Sequence, residues 1–149
     1  MDGHAQGEMT AFVREVLMPG GPGHQPRIEP AACRFRLRVG ESAIHRWGIY
    51  ADEDIPAGRR VIEYTGQRIT LREGWRRRFR PQLYLFRCSA RRLIDGCIGG
   101  SGAEFVNHGC EPNLVARFDH RRVFYCSARR IARGEELLID YHVRGDIDP

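Results

Sequence analysis

Residues 105–113 read FVNHGCEPN, and this stretch decides how the rest of the chain is interpreted. The Phe105–Val106 pair is typical of a strand, and it runs directly into Asn107 and His108. The Pro112–Asn113 turn then interrupts the chain. An Asn-His pair at a strand end is usually a turn with locally satisfied hydrogen bonds, but it can also bind a ligand. The stretch alone leaves both interpretations open.

The composition is that of one globular domain. The chain has 149 residues, of which 42% are hydrophobic and 29% charged, which excludes a disordered chain. No apolar run reaches the roughly 20 residues of a membrane-spanning helix. The N-terminus lacks the basic start and apolar core of a secretory signal. We therefore expect no membrane association and an intracellular protein, cytoplasmic if bacterial and otherwise nuclear or host-nuclear.

The basic residues are all of one type, and the cysteines argue against two common kinds of structural site. All 24 basic residues are arginine, and the net charge is +5. The five cysteines are odd in number and include no C-x-x-C pair. This pattern argues against both a disulfide framework and a zinc ribbon, so no metal site is predicted.

The chain divides into a compact central part and two flanking segments. Residues 1–31 are predicted to be an N-terminal extension, with a short helix over 10–18 and a Pro/Gly linker over 19–26. Residues 32–143 form the predicted domain, and residues 144–149 a C-terminal tail.

Short strands dominate the predicted domain. The segment CRFRLRVG (33–40) alternates apolar and charged residues, and RVIEYTG (60–66) is rich in residues that favour strands. A short helix is predicted over 71–81, although Gly74 weakens it and Pro81 ends it. These patterns predict a mainly β fold of short strands in small sheets, with one or two short helices.

Four segments together resemble the SET domain of protein lysine methyltransferases. They are SAIHRWGIYADEDIPAGRRVIEYTGQ (42–67), YLF (84–86), FVNHGCEPN (105–113) and ARRIARGEELLIDY (128–141). The resemblance covers about two-thirds of the chain. It implies a β-clip fold whose C-terminal segment threads beneath a loop as a pseudoknot. It also implies S-adenosylmethionine as cofactor and a lysine-containing protein as substrate.

The resemblance implies roles near the reacting groups. Tyr141 ends the GEELLIDY block and corresponds to the principal active-site tyrosine. Tyr84 matches a tyrosine often found at the active-site channel, with core packing as the alternative. Ile139 occupies a channel position that helps set the number of methyl groups, and its lack of a hydroxyl favours higher methylation. Glu135 and Glu136 are expected to organise the knot turn and neighbouring arginines rather than to act as bases.

The resemblance also implies a cofactor site. Its members are Arg46, Trp47, Gly48, Asn107, His108 and Tyr141. Gly48 would let the backbone approach the ligand closely, while Trp47 would lie near the cofactor or in the core. The family usually has glycine where Arg46 stands. If that backbone needs a positive φ, Arg46 is strained. Either the site tolerates Arg46, whose guanidinium then meets the cofactor carboxylate, or the affinity for the cofactor is weakened.

Other departures from the family pattern concern neighbours of the site. Glu104 stands where the family usually has arginine, and Gly109 stands where it usually has serine. Many relatives carry cysteine-rich zinc modules beside the domain, but no cysteine follows Tyr141 here. Small stand-alone members exist, sometimes as dimers, so a homodimer stays open.

An arginine-rich stretch lies outside these motifs. REGWRRRFR (72–80) interleaves five arginines with Trp75 and Phe79. It is interpreted as a solvated helix face, a surface for an acidic partner, or a nucleic-acid contact. It is too short to identify a nucleic-acid module, so nucleic acid is not predicted. Together with Arg46, it motivates the alternative function, a non-catalytic SET-like module that binds protein or nucleic acid.

Overall fold

A computed structural model describes residues 26–78 and 84–141. Its strands are β1 (Leu37–Glu41), β2 (Trp47–Ala51), β3 (Arg60–Tyr64), β4 (Gln67–Thr70), β5 (Leu85–Arg87), β6 (Arg92–Asp95), β7 (Asn107–His108), β8 (Leu114–Asp119), β9 (Arg122–Ser127) and β10 (Leu138–Ile139). The α-helix of the described part, α1, spans Leu71–Arg77, and 3-10 turns span Pro30–Ala32 and Ala103–Phe105. The predicted mainly β fold is therefore confirmed. The helix predicted over 10–18 and the predicted tail over 144–149 lie outside the described residues.

The strands form three small sheets around one core. β1 pairs with β2, the order of the second sheet is β3-β9-β8-β10-β7, and the order of the third is β4-β6-β5. Ile49, Val61 and Ile94 come from different sheets and share one buried cluster. Full burial of such a side chain contributes about 2 kcal/mol. The shared core therefore fixes the sheets against one another, and partly buried Ile28 also packs on it.

Helix α1 begins with a cap and packs closely on the third sheet. The Thr70 side chain accepts a hydrogen bond from the Glu73 N–H at 3.1 Å, which satisfies a helix-end donor. A Cβ at Gly74 would lie 2.3 Å from Cδ1 of Leu93 on β6. Glycine therefore costs helix propensity at this position but permits the close approach of helix and sheet. The described helix ends at Arg77, earlier than the 71–81 predicted from the sequence.

The C-terminal strand β10 threads between two strands that are neighbours in the chain. Leu138 pairs in parallel with Asn107, and Ile139 pairs with both His108 and Leu114. Residues 109–113 must therefore cross β10 to connect β7 with β8. This arrangement is the predicted pseudoknot, and it brings residues about 30 positions apart in the sequence into one ladder.

Candidate active site

The crossing loop is fastened to β10 by a buried asparagine. The Asn113 side chain is 2% exposed and donates from Nδ2 to the Glu136 carbonyl at 2.8 Å. Its Oδ1 accepts the Leu138 N–H, also at 2.8 Å. The amide thus satisfies one backbone donor and one backbone acceptor, which fixes the position of β10 beneath the loop.

Asn107 joins three segments of the chain. Its Nδ2 lies 2.8 Å from the Trp47 carbonyl, 2.9 Å from Glu136 Oε1 and 3.2 Å from Ser42 Oγ. The Ser42 hydroxyl also donates to Glu136 Oε1 at 2.7 Å. The Asn107 amide therefore holds the loop over residues 42–48 against β7, and its donors are directed at protein acceptors.

Gly48 lies so close to the Glu136 carboxylate that a side chain at this position would not fit. A Cβ at Gly48 would lie 2.2 Å from Glu136 Oε1, so a larger residue would displace the carboxylate. Arg46 is exposed, and its guanidinium carbon lies 5.9 Å from the centre of the half-buried Trp47 ring. Among the described residues other than glycine, positive φ occurs at His120 and Arg121. Arg46 therefore does not have a positive φ, and its backbone is not strained. Its guanidinium is exposed beside the loop.

Tyr141 and His108 form the end of the knot. The Tyr141 hydroxyl donates to the Val106 carbonyl, and its N–H donates to His108 Nδ1 at 3.1 Å. The other ring nitrogen, Nε2, lies 3.8 Å from Cys110 Sγ. The two rings are 5.3 Å apart. Burial of the hydroxyl end raises the pKa of Tyr141, so the phenol remains protonated at neutral pH.

Tyr84 lies in the same neighbourhood. Its carbonyl accepts from the Tyr64 hydroxyl at 2.6 Å and the Gly96 N–H at 2.8 Å, which fixes its backbone. Its ring packs 5.4 Å from that of Phe105. Burial, together with neighbouring ionisable groups that include Tyr141, raises the pKa of Tyr84 to about 12. Both predicted tyrosines are therefore neutral hydroxyls at neutral pH.

Ile139 and Gly109 show how tightly the knot is packed. Ile139 is 5% exposed and belongs to the buried core. A Cβ at Gly109 would lie 3.0 Å from Cβ of Leu138, so the serine usual in the family would press on β10. The predicted place of Ile139 in a substrate channel stays a prediction.

Glu104 is a buried carboxyl whose charge adds to the effect of burial in raising the pKa of Tyr84. It is 8% exposed, and one carboxylate oxygen accepts the Gly102 N–H at 2.9 Å. Burial raises the pKa of Glu104 to about 7, although that hydrogen bond and the charge of Arg27 act in the opposite direction. A buried carboxyl thus stands where the family usually has arginine.

Sequence reasoning missed two residues of this network and placed two others correctly. Ser42 and Asn113 were given no role, although both lie within the motif segments. Asn113 follows a proline and could have been recognised as a turn residue that bonds the backbone. Glu135 and Glu136 organise the turn as predicted, since Glu135 pairs with an arginine at 3.0 Å and Glu136 binds Ser42 and Asn107.

The described residues contain neither a cluster of His, Cys, Asp and Glu suited to a metal ion nor a helix suited to crossing a membrane. No three side chains of these types lie together in the described part of the chain in a way that could hold a metal ion. No described helix has the length and apolar character of a membrane span.

Comparison with known proteins supports the resemblance that the sequence motifs indicated. The SET domain family model matches residues 46–142. The chain is 35% identical over 154 aligned residues to an H3 lysine-4-specific histone-lysine N-methyltransferase of Aspergillus fumigatus, covering 95% of this chain and 12% of that protein. It is 37% identical over 130 residues to histone-lysine N-methyltransferase trithorax of Drosophila melanogaster, covering 75% and 4%. The chain thus spans only a small part of these relatives.

Solved structures show the same fold. The polycomb repressive complex 2 of Chaetomium thermophilum matches with a TM-score of 0.67 and 29% identity, over 75% of this chain and 16% of that one. An autoinhibited form of such a complex, bound to S-adenosylmethionine, matches with a TM-score of 0.68 and 30% identity, over 76% and 16%.

Proposed function

Because the chain belongs to the SET domain family, we propose that it is a protein-lysine N-methyltransferase that uses S-adenosyl-L-methionine. Relatives that align with nearly all of this chain carry the name histone-lysine N-methyltransferase. A structural neighbour binds S-adenosylmethionine. The non-catalytic alternative has less support, because the loop at 42–48, the Asn-His strand end and Tyr141 are in contact with one another, and Tyr84 is also present.

The observation that carries the proposal is the bond between the Tyr141 hydroxyl and the Val106 carbonyl. Because the hydroxyl proton is donated to the carbonyl, the hydroxyl oxygen and the carbonyl oxygen can both accept N–H bonds from a neutral amine and leave the nitrogen lone pair free. Tyr84 lies close enough for its ionisation to be linked with that of Tyr141. We assign these two tyrosines to the acceptor amine and Ile139 to the adjoining channel.

The residues around the loop at 42–48 suit the cofactor. The exposed Arg46 guanidinium can bind a carboxylate, and the half-buried Trp47 and His108 rings offer apolar surface to an adenine. The Asn107 donors are already directed at protein acceptors. We therefore propose that Asn107 positions the loop. Gly48 leaves room for the Glu136 carboxylate to approach the loop.

The chain's own contribution to the reaction is alignment. When bound, S-adenosylmethionine supplies an electrophilic methyl group on a sulfonium centre. The lysine must first release its ammonium proton to solvent, and the sulfonium charge lowers the lysine pKa. The raised pKa values of Tyr84 and Tyr141 make both poor bases at neutral pH, so their hydroxyls orient the amine rather than deprotonate it. Alignment of two bound reactants supplies much of the rate.

The relatives suggest the first substrate to test. Those named H3 lysine-4 specific favour a peptide from the N-terminal tail of histone H3 and a nuclear place of action. Ile139 favours products beyond monomethyl-lysine, which a mass-spectrometric time course would show. Homodimer formation stays a prediction that light scattering can test.

The test compares the wild type with Tyr141→Phe, each incubated with methyl-labelled S-adenosylmethionine, histones and lysine-rich peptides. The chain contains no lysine, so the enzyme cannot methylate a lysine of its own. Each labelled lysine therefore belongs to a substrate. We expect labelled lysine with the wild type and at least about a hundredfold slower transfer with Tyr141→Phe, a loss of roughly 3 kcal/mol. Tyr50→Phe is the matched control, because its hydroxyl bonds the Glu41 carbonyl away from the knot.

Two results would count against the proposal. Absence of both labelling and calorimetric cofactor binding would favour the non-catalytic module. Label on arginine instead of lysine would change the reaction class. Cofactor binding without label on the histone mixture would call for other lysine-containing proteins as acceptors.

A further inference from the structure

The outward side of α1 plays no part in the proposed methyl transfer. Leu71 is 40% exposed and Trp75 is 66% exposed. Their i,i+4 spacing places them one turn apart on the same side of the helix. Single exposed apolar residues are common, but an adjacent pair that includes an indole is typical of a binding surface.

The helix is firmly attached on its opposite side. Gly74 is buried against Leu93. The Arg77 side chain is 10% exposed and bonds the fully buried Asp95 carboxylate at 2.7 Å. The exposure of Trp75 is therefore a consequence of how α1 packs on the sheet.

Arginines border the two apolar side chains. Arg72 is exposed, and the Arg76 side chain is 70% exposed with the Glu73 carboxylate 3.8 Å away. The Arg78 guanidinium carbon lies 3.8 Å from the centre of the Trp75 ring. Glu73, the acidic residue of α1, binds Arg77 more closely, at 2.9 Å. The helix therefore does not balance the positive charge of its outward side.

We propose that this side of α1 binds an acidic protein segment that also carries apolar side chains. The α1 face, as we name it, consists of Leu71, Arg72, Trp75, Arg76 and Arg78. Tryptophan and arginine are the residues that most often dominate binding energy at protein interfaces. Opposite charge on the partner would pair with the arginines and speed association.

A protein segment fits the α1 face better than a nucleic acid does. The Arg78 guanidinium covers one face of the Trp75 ring and leaves only the other face for stacking with a base. Leu71 adds aliphatic surface that phosphates cannot use but that an apolar side chain can cover. The arginines could bind either kind of partner and do not distinguish between them. The exposed apolar side chains do, and they favour a peptide.

Fluorescence anisotropy tests the proposal with a labelled peptide in which glutamates alternate with leucine and phenylalanine. We expect saturable binding that Trp75→Ala, and separately the double change Arg72→Glu with Arg76→Glu, weaken at least about tenfold. Arg117→Glu makes the same kind of charge change at an exposed position on β8 and should leave the affinity unaltered. A peptide with serine in place of leucine and phenylalanine should bind more weakly.

Several outcomes would overturn the proposal. One is the absence of saturable peptide binding. Another is equal weakening by Arg117→Glu, which would indicate general charge attraction. A third is binding of a single-stranded oligonucleotide, lost in the same variants, in the absence of peptide binding. Circular dichroism of every variant checks folding, and none of these measurements depends on methyl transfer, so the two proposals can fail separately.

Discussion

The knot region, comprising β7, β10 and residues 109–113, is held together differently from helix α1. In the knot region, the amides of Asn107 and Asn113 bond atoms from segments that are distant in the sequence. Helix α1 instead rests on β4 and β6 through Gly74 and one ion pair with a buried carboxylate. The first arrangement fixes several segments at once, whereas the second secures one side of a helix and leaves the other to solvent. The chain thus builds a rigid site in one region and presents a surface in the other.

The largest expected effect comes from removing the ion pair beneath α1. Arg77→Met removes the guanidinium that pairs with the Asp95 carboxylate, which is 0% exposed. Removing one member of a buried pair typically costs about 3–5 kcal/mol. We expect a loss of that order in the free energy of unfolding, measured by urea denaturation.

The neighbouring arginine provides the matched control. Arg76 has the same side chain, is 70% exposed and lies 3.8 Å from Glu73. Arg76→Met should cost less than about 1 kcal/mol, because exposed ion pairs contribute little. If the two variants lose equal stability, the ion pair with Asp95 does not anchor α1.

A smaller loss of stability is expected in the knot region, with a larger effect on the site. Asn113→Ala removes hydrogen bonds with the Glu136 carbonyl and the Leu138 N–H, both 2.8 Å long. Leaving these buried groups unpaired should cost about 2 kcal/mol. We also expect cofactor affinity, measured by calorimetry, to fall more than in Arg77→Met, because β10 borders the site.

Glu111→Ala, on the exposed part of the same loop, controls for disturbance of residues 109–113. It should change neither stability nor cofactor affinity appreciably. Wild-type stability and affinity in Asn113→Ala would show that strand pairing alone fixes β10. The contrast between the two regions would then lose its basis.

Much of the fold could be predicted because its signals are local or belong to a motif series. Alternation of apolar and charged residues is visible in CRFRLRVG, and RVIEYTG is rich in residues that favour strands. The threaded position of β10 was implied by the resemblance to the SET domain, since parallel pairing of distant short segments leaves no periodic signal. The end of α1 was placed too late because helix propensity and Pro81 do not report where packing on the sheet stops.

The resemblance assigned Tyr84, Tyr141 and the Asn-His pair to one site, and of these the structure shows Tyr141 in contact with His108. The resemblance did not indicate that the Asn107 donors are directed at protein acceptors, because that depends on Ser42 and Glu136 meeting from opposite ends of the domain. Which residues bind cofactor and substrate stays a prediction.

The smallest expected effect concerns Glu104, which joins the two regions. Its carboxyl lies near Asp95 beneath α1 and next to the segment that leads into β7, and its pKa is raised from 4.5 to about 7. The folded state then holds a proton that the unfolded state has released, so stability falls as pH rises from about 4.5 to about 7. At roughly 1.4 kcal/mol per pKa unit, this amounts to at most about 3–4 kcal/mol, reduced by relaxation around the carboxylate.

Glu104→Gln should remove this dependence because the amide remains neutral and can still accept the Gly102 N–H. We expect the variant to gain about 1–2 kcal/mol over the wild type near pH 8 and little near pH 5, measured by thermal or urea unfolding across the range. Glu111→Gln removes the same charge at an exposed position and should show no such pH-dependent gain. A constant difference between Glu104→Gln and the wild type at every pH would show that the carboxyl is ionised throughout. Glu104 would then be a fixed charge, and the junction of the knot region with α1 would not respond to pH.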